Sequence, residues 1–254
     1  MLIANDSELS EILAENLAVF ETSSPSYILM SSIEKCLDFC ENSKDKFKEY
    51  CCNLKTVRKK LENLKYLKIY DKSDTDFDYD ISKIVISTAN ANISGTKLAE
   101  ILRNNYQIET EMAYSDYVIA MTSVCDTEKA FDMLSDALIS IDSELSKGAD
   151  TERVPLKNLY TGKNFNAYEL YKFNKETIPF QNSEFRTSAE YIWAYPPGIP
   201  LTVPGEIISK ELINYIEYLS ACKVEIMSTK GGMTNYISCL LYTSDAADDG
   251  ESVD

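Results

Sequence analysis

Phe20-Glu-Thr-Ser-Ser-Pro-Ser-Tyr27 separates two apolar runs of helical period. Upstream, Leu9, Ile12, Leu13, Leu17 and Phe20 share one face, which predicts a helix over 8–20. Downstream, Tyr27, Met30, Ile33, Leu37 and Cys40 predict a second helix, with a polar break at Asn42-Ser43. Proline suits a first helical turn, where its missing N–H has no partner. The hydroxyls of Thr22, Ser23 and Ser24 are therefore expected at the N-cap, beside free amides and the positive end of the helix dipole. Two readings stay open: an ordinary cap, or a cradle for a phosphate or carboxylate.

Phe47, Cys51, Leu54, Val57, Leu61 and Leu64 continue a helical face, with lysines and glutamates as its solvated side. Lys65–Tyr70 and Lys83–Thr88 read as strands. Between them, the aspartates of Asp71–Asp80 form a solvated acidic loop. A calcium loop would need Gly at Tyr79 and Glu at Val85. Ser94 is the expected N-cap of a helix reaching Tyr106. Ile108–Met112 and Tyr117–Thr122 read as strands, and Asp126 opens a helix with Leu134, Leu138 and Ile141 on its core face. Glu109 and Glu111 flank Thr110 and would share one solvated strand face. This order predicts a small α+β domain with helices on one face of a mostly antiparallel sheet.

Ser146–Val154 reads as a linker, Ala167–Phe173 as a short helix and 176–193 as short strands. Tyr195-Pro-Pro-Gly-Ile-Pro-Leu-Thr-Val-Pro-Gly-Glu206 follows. Four prolines and two glycines in twelve residues exclude helix and central strand. A stiff turn-forming segment is expected, ending at the Glu206 carboxylate. A helix over Ile207–Leu219 and a strand over Lys223–Met227 complete the pattern.

Composition bounds the function. The 254 residues are 44% hydrophobic and 26% charged, ordinary for a soluble globular chain. The net charge of −16 argues against nucleic-acid binding and suits a cationic substrate. No apolar run is long enough to span a membrane. The seven cysteines fit no zinc spacing, so no metal site is expected. They read as reduced thiols of a cytoplasmic protein. The absence of histidine removes every Ser-His and Cys-His mechanism from this chain.

Phe20–Ile33 and Tyr195–Glu206 resemble the ornithine/lysine/arginine decarboxylases, pyridoxal-phosphate enzymes of fold type I. Asp80–Ile86, Ser94-Gly95 and Ile108–Met112 fall between them in the family's order, and the resemblance covers roughly 8–227. It implies that 1–64 ends a large domain and links it onward, that 65–150 is the small α+β domain, and that 151–238 is a C-terminal subdomain. It implies a homodimer or higher oligomer in which Thr22, Ser23 and Ser24 contact the pyridoxal 5′-phosphate of the neighbouring subunit. Tyr195 and Glu206 would meet the basic amino acid substrate at its entrance. Glu206 has a plainer reading as the N-terminal carboxylate of the helix after it.

The family's cofactor lysine follows a histidine upstream of the hydroxyl stretch, whereas here the first lysine is Lys35. No catalytic residue is therefore expected in this chain. It is read as an inactive C-terminal piece of a decarboxylase that forms polyamine precursors, with Met1 internal to a longer frame. The alternatives are a non-catalytic subunit-binding module, or a piece of another fold-type-I enzyme such as an aminotransferase. Cys239–Asp249 resembles a translated transposase sequencing adapter. On that reading native sequence stops near Ser238, and 239–254 is a disordered tail.

Overall fold

A computed structural model describes residues 7–21, 24–148, 159–232 and 235–241. The chain divides into two compact units, 1–49 and 50–254.

In the first unit the expected helices form as α1 (Ser7–Phe20) and α2 (Tyr27–Asn42). The expected cap is corrected. Ser26 is the N-cap of α2, and its hydroxyl accepts from the Leu29 N–H at 3.4 Å. Pro25 thus precedes the cap instead of opening the helix, because the hydroxyl within reach of the third helical amide is that of Ser26. Ser24 is exposed, and Thr22 and Ser23 lie outside the described residues. The helix stops at the polar break, with Ser43 as C-cap.

The second unit begins within α3 (Lys44–Lys60), whose Leu54 and Val57 enter a core that Leu61 also joins. Residues assigned from sequence to the linking helices are thus core of the small domain. Its sheet has the order β1 (Lys68–Ile69), β2 (Lys83–Ser87), β4 (Tyr117–Met121), β3 (Met112–Ala113), antiparallel throughout. Ile84 and Ile86 face Ala120 and Val118 across β2 and β4. All four are buried against Leu98 and Leu102 of α4 (Gly95–Tyr106) and Leu134 and Leu138 of α5 (Glu128–Glu144). Period-two alternation therefore buries one sheet face under the helices. Ser94 caps α4 as expected, accepting from Lys97 N–H at 3.1 Å.

The strand expected over Ile108–Met112 is mostly absent. Left-handed Gln107 and the Ile108 N–H both bond back to Leu102 O, so this segment closes α4 instead. Glu109 consequently pairs with Arg103 rather than lying on a strand. Thr127 caps α5, which starts at Glu128, two residues beyond the expected Asp126.

The C-terminal part adds a sheet of order β7 (Ile199–Thr202), β6 (Ile192–Tyr195), β8 (Glu225–Ser228), β9 (Gly231–Gly232). A two-stranded ribbon pairs β5 (Lys175–Pro179) with β10 (Tyr236–Leu240). Ala167–Lys172 is a 3-10 turn. The proline-rich stretch forms the turn and β7, which lies at the sheet edge with Pro200 opposite Trp193, an edge position being where a strand tolerates proline. α6 (Lys210–Ala221) packs Leu212, Ile213, Ile216 and Leu219 into the second core. It starts three residues later than expected, with Ser209 as N-cap, because Ile207 and Ile208 bond to Gly162 and Arg186. β10 reaches Leu240, and Cys239 is fully buried, so the strand passes the boundary expected at 238. Residues 242–254 lie outside the described ones.

Candidate functional site

A cleft of about 880 Å³ opens between the β3–β4 turn and the C-terminal part of the same unit. Its first wall is Tyr114-Ser-Asp-Tyr117. Tyr114 N–H donates to Tyr117 O at 2.8 Å and closes the turn, and Asp116 O accepts from Thr88 N–H at 2.8 Å. The first residue of α4 lies directly beneath. Gly95 N–H donates to Ser115 O at 3.0 Å, and a Cβ there would collide with the carbonyl oxygens of Tyr114 and Tyr117.

The opposite wall is β7, the loop to Glu206, and two residues of α6. Gly205 adopts φ +96° and lies on Phe165 O, a position closed to a Cβ, and so sets the backbone immediately before Glu206. Glu206 Oε2 accepts from Val203 N–H at 2.9 Å and from the Thr202 hydroxyl at 3.2 Å. Its Oε1 makes no hydrogen bond among the described residues. Tyr215 and Tyr218 sit at i, i+3 on α6 and share a face.

Four tyrosines meet in this cleft as two stacked pairs. Tyr114 and Tyr117 have centroids 5.6 Å apart, and Tyr215 and Tyr218 have centroids 6.4 Å apart. The Tyr114 and Tyr215 hydroxyls join the pairs at 3.1 Å. Thr96 of α4 also donates to Cys222 O at 2.6 Å, tying α4 to the end of α6. Burial pushes all four phenols above their ordinary range, and the Asp116 charge adds to that rise in each. Asp116 therefore lies within electrostatic reach of the whole cluster. Asp116 and Glu206 are the charged side chains among the described residues lining the cleft. Among the described lining residues, two carboxylates and four electron-rich rings suit a cation better than an anion.

The expected site residues separate. Glu206 lines the cleft, but it does not cap α6, which starts at Lys210. Tyr195 is half-exposed and is not among the described lining residues. The hairpin register explains this: Ile192 pairs with Thr202 and Ala194 with Ile199, so Tyr195 sits at the turn and Glu206 lies beyond the opposite end. Ser24 belongs to the first unit. Sequence reasoning missed Asp116 and the tyrosines. One signal was available, the repeated Tyr-x-acid-Tyr pattern at Tyr114–Tyr117 and Tyr215–Tyr218.

Residues 150–237 match the family described as Orn/Lys/Arg decarboxylase, C-terminal domain. An arginine decarboxylase of Halalkalibacterium halodurans is 37% identical over 144 residues, which are 55% of this chain and 29% of that protein. An arginine decarboxylase of Bacillus anthracis is 27% identical over 213 residues, 79% of this chain and 42% of that protein. The chain thus spans less than half the length of these relatives. Among solved structures, a Francisella novicida lysine decarboxylase aligns with TM-score 0.71 at 17% identity, over 94% of this chain and 46% of that one. The Escherichia coli constitutive lysine decarboxylase aligns with TM-score 0.69 at 16% identity and the same coverage.

Proposed function

We propose that the chain is a member of the Orn/Lys/Arg decarboxylase family and forms the C-terminal portion of a basic amino acid decarboxylase. The whole enzyme would release CO₂ from arginine, lysine or ornithine in the cytoplasm and leave an amine that feeds polyamine synthesis. Pyridoxal 5′-phosphate, the electron sink of such enzymes, would be bound elsewhere in the assembly. The cleft does not fit its phosphate, because Asp116 and Glu206 line it with negative charge. Nor does the chain carry a His-Lys motif to hold the ring. Its own part is to receive the basic end of the substrate. Thr22, Ser23 and Ser24 are proposed to reach the cofactor phosphate of a second subunit in a homodimer.

The carrying observation is Glu206. One oxygen is fixed by the Val203 amide and the Thr202 hydroxyl, and the other is left to accept from a ligand. A carboxylate held in this way forms charge-assisted hydrogen bonds with an ammonium or guanidinium group. In the complete enzyme, Glu206→Gln should raise KM for the basic amino acid by roughly tenfold or more, the worth of one charged hydrogen bond. The 254-residue chain alone should release no CO₂. A complete enzyme that decarboxylates none of the three amino acids overturns the reading.

A further inference from the structure

We propose that Cys36 and Cys40 of α2 form a two-coordinate site for monovalent copper, in the first unit and independent of the decarboxylase reading. The two thiolates hold the ion between them with no third ligand. Zinc spacing, the ground for expecting no metal, does not bear on an ion that takes two ligands.

Four features carry it. First, the pair lies on one face of one regular helix. Cys36 and Cys40 are i, i+4 within Tyr27–Asn42, a spacing that sets Cβ atoms about 5–6 Å apart. Two metal–thiolate bonds of about 2.3 Å each span up to roughly 4.6 Å between sulfurs, which side chains leaning together from that separation can meet. Second, the two sulfurs interact. Desolvation, and after it the charge and hydrogen bond of Cys36, hold the Cys40 thiol above its ordinary value. Third, both thiols are free and exposed, so an ion reaches them from solvent. Cys51 and Cys52 are adjacent on α3 and point about 100° apart, and Cys239 is buried. Fourth, the donor set selects the ion. Thiolates favour Cu(I), zinc or iron–sulfur clusters, and the last two take four ligands. The chain has no histidine, and no group of three His, Cys, Asp or Glu among the described residues could hold such an ion. Binding of Cu(I) displaces two thiol protons and leaves copper and both sulfurs in their original oxidation states.

The test titrates Cu(I), buffered by the chromogenic competitor bicinchoninate, into the full chain without oxygen. Ultraviolet thiolate-to-copper absorption reports binding. Iodoacetamide labelling read by mass spectrometry reports which thiols are covered. The chain should take up one equivalent and protect Cys36 and Cys40. Cys36→Ser and Cys40→Ser should each weaken binding by more than the roughly 10–100-fold that losing an outer-shell partner costs. Cys52→Ser should bind as the parent does. Both positions are exposed, so serine there disturbs no core, and unchanged thermal unfolding of the metal-free variants would show it. Below the ordinary thiol value of about 8.5, affinity should climb by about a hundredfold per pH unit, because two protons leave. A site built on one thiol would climb about tenfold. Parent-like binding in Cys36→Ser, equal protection of Cys51 or Cys125, or the one-proton slope overturns the proposal.

Discussion

At the residue scale, the chain uses carboxylates in two distinct ways. Asp142 is buried on α5 and accepts three backbone N–H bonds, from Lys65 at 2.7 Å, Tyr66 at 2.9 Å and Leu67 at 2.8 Å. It thereby fastens the segment entering β1 to the helix layer. Removing it strands those amides away from water. Asp142→Ala should cost about 3 kcal/mol or more, since each buried unpaired donor costs roughly 1–3 kcal/mol. Asp142→Asn keeps one acceptor oxygen and should lose markedly less. Urea unfolding of the two variants checks the ranking, and equal stability of all three proteins would refute the tether. Glu206 differs because, among the described residues, only one of its oxygens is hydrogen-bonded. Neither role follows from sequence position, since Asp142 reads as one more polar residue near a helix end. Its partners lie more than seventy residues away in the chain.

At the scale of elements, the junction of α4 with the β3–β4 turn decides the shape of the cleft. Gly95 brings the helix start against the turn carbonyls with no room for a methyl group. Gly95→Ala should cost about 1–3 kcal/mol, as overpacking of a filled contact does. It should also move the Tyr114 and Tyr117 ring resonances, which a purely local helix effect would leave in place. Thermal unfolding and the same tyrosine spectra test both. Ser94 was legible as a cap because a serine stands directly before an apolar helical run. The α2 cap was not. Four hydroxyl residues crowd around Pro25, and which of them reaches an amide depends on the backbone path at that turn. Strands β9 and β10 were missed for a similar reason. Neither run alternates clearly, and β10 exists through its pairing with β5.

At the scale of the molecule, the tyrosine cluster ties stability to alkaline pH. Burial raises Tyr114, Tyr117, Tyr215 and Tyr218 above the ordinary 10.0. It also pushes the Cys239 thiol from 9.0 up to about 12. A raised acid is held in its neutral form more tightly by the folded state than by the unfolded chain. Its stabilisation is therefore complete below the unfolded value and lost as pH climbs toward the folded one. The Tm should stay level between about pH 7 and pH 9 and then fall steadily as these groups are driven to ionise. Tyr114→Phe should flatten the fall above about pH 10, the ordinary tyrosine value. A Tm insensitive to pH in that range would contradict the burial of the cluster.

Local chemistry in the sequence determined the helices, the strand alternation of β2 and β4, the cap at Ser94 and the family motifs at Phe20–Ile33 and Tyr195–Glu206. Each depends on neighbours a few residues apart, so periodicity and steric preference reveal it. The tertiary structure alone decided that Tyr114, Asp116, Tyr117, Glu206, Tyr215 and Tyr218 line one cleft, and that Tyr195 stands apart from Glu206. It also decided that β10 continues through a buried Cys239. These outcomes depend on which strand faces which and where a helix meets a turn. Contacts of that kind are set by packing between segments about a hundred residues apart, as with Tyr114 and Tyr215, and no local pattern records them.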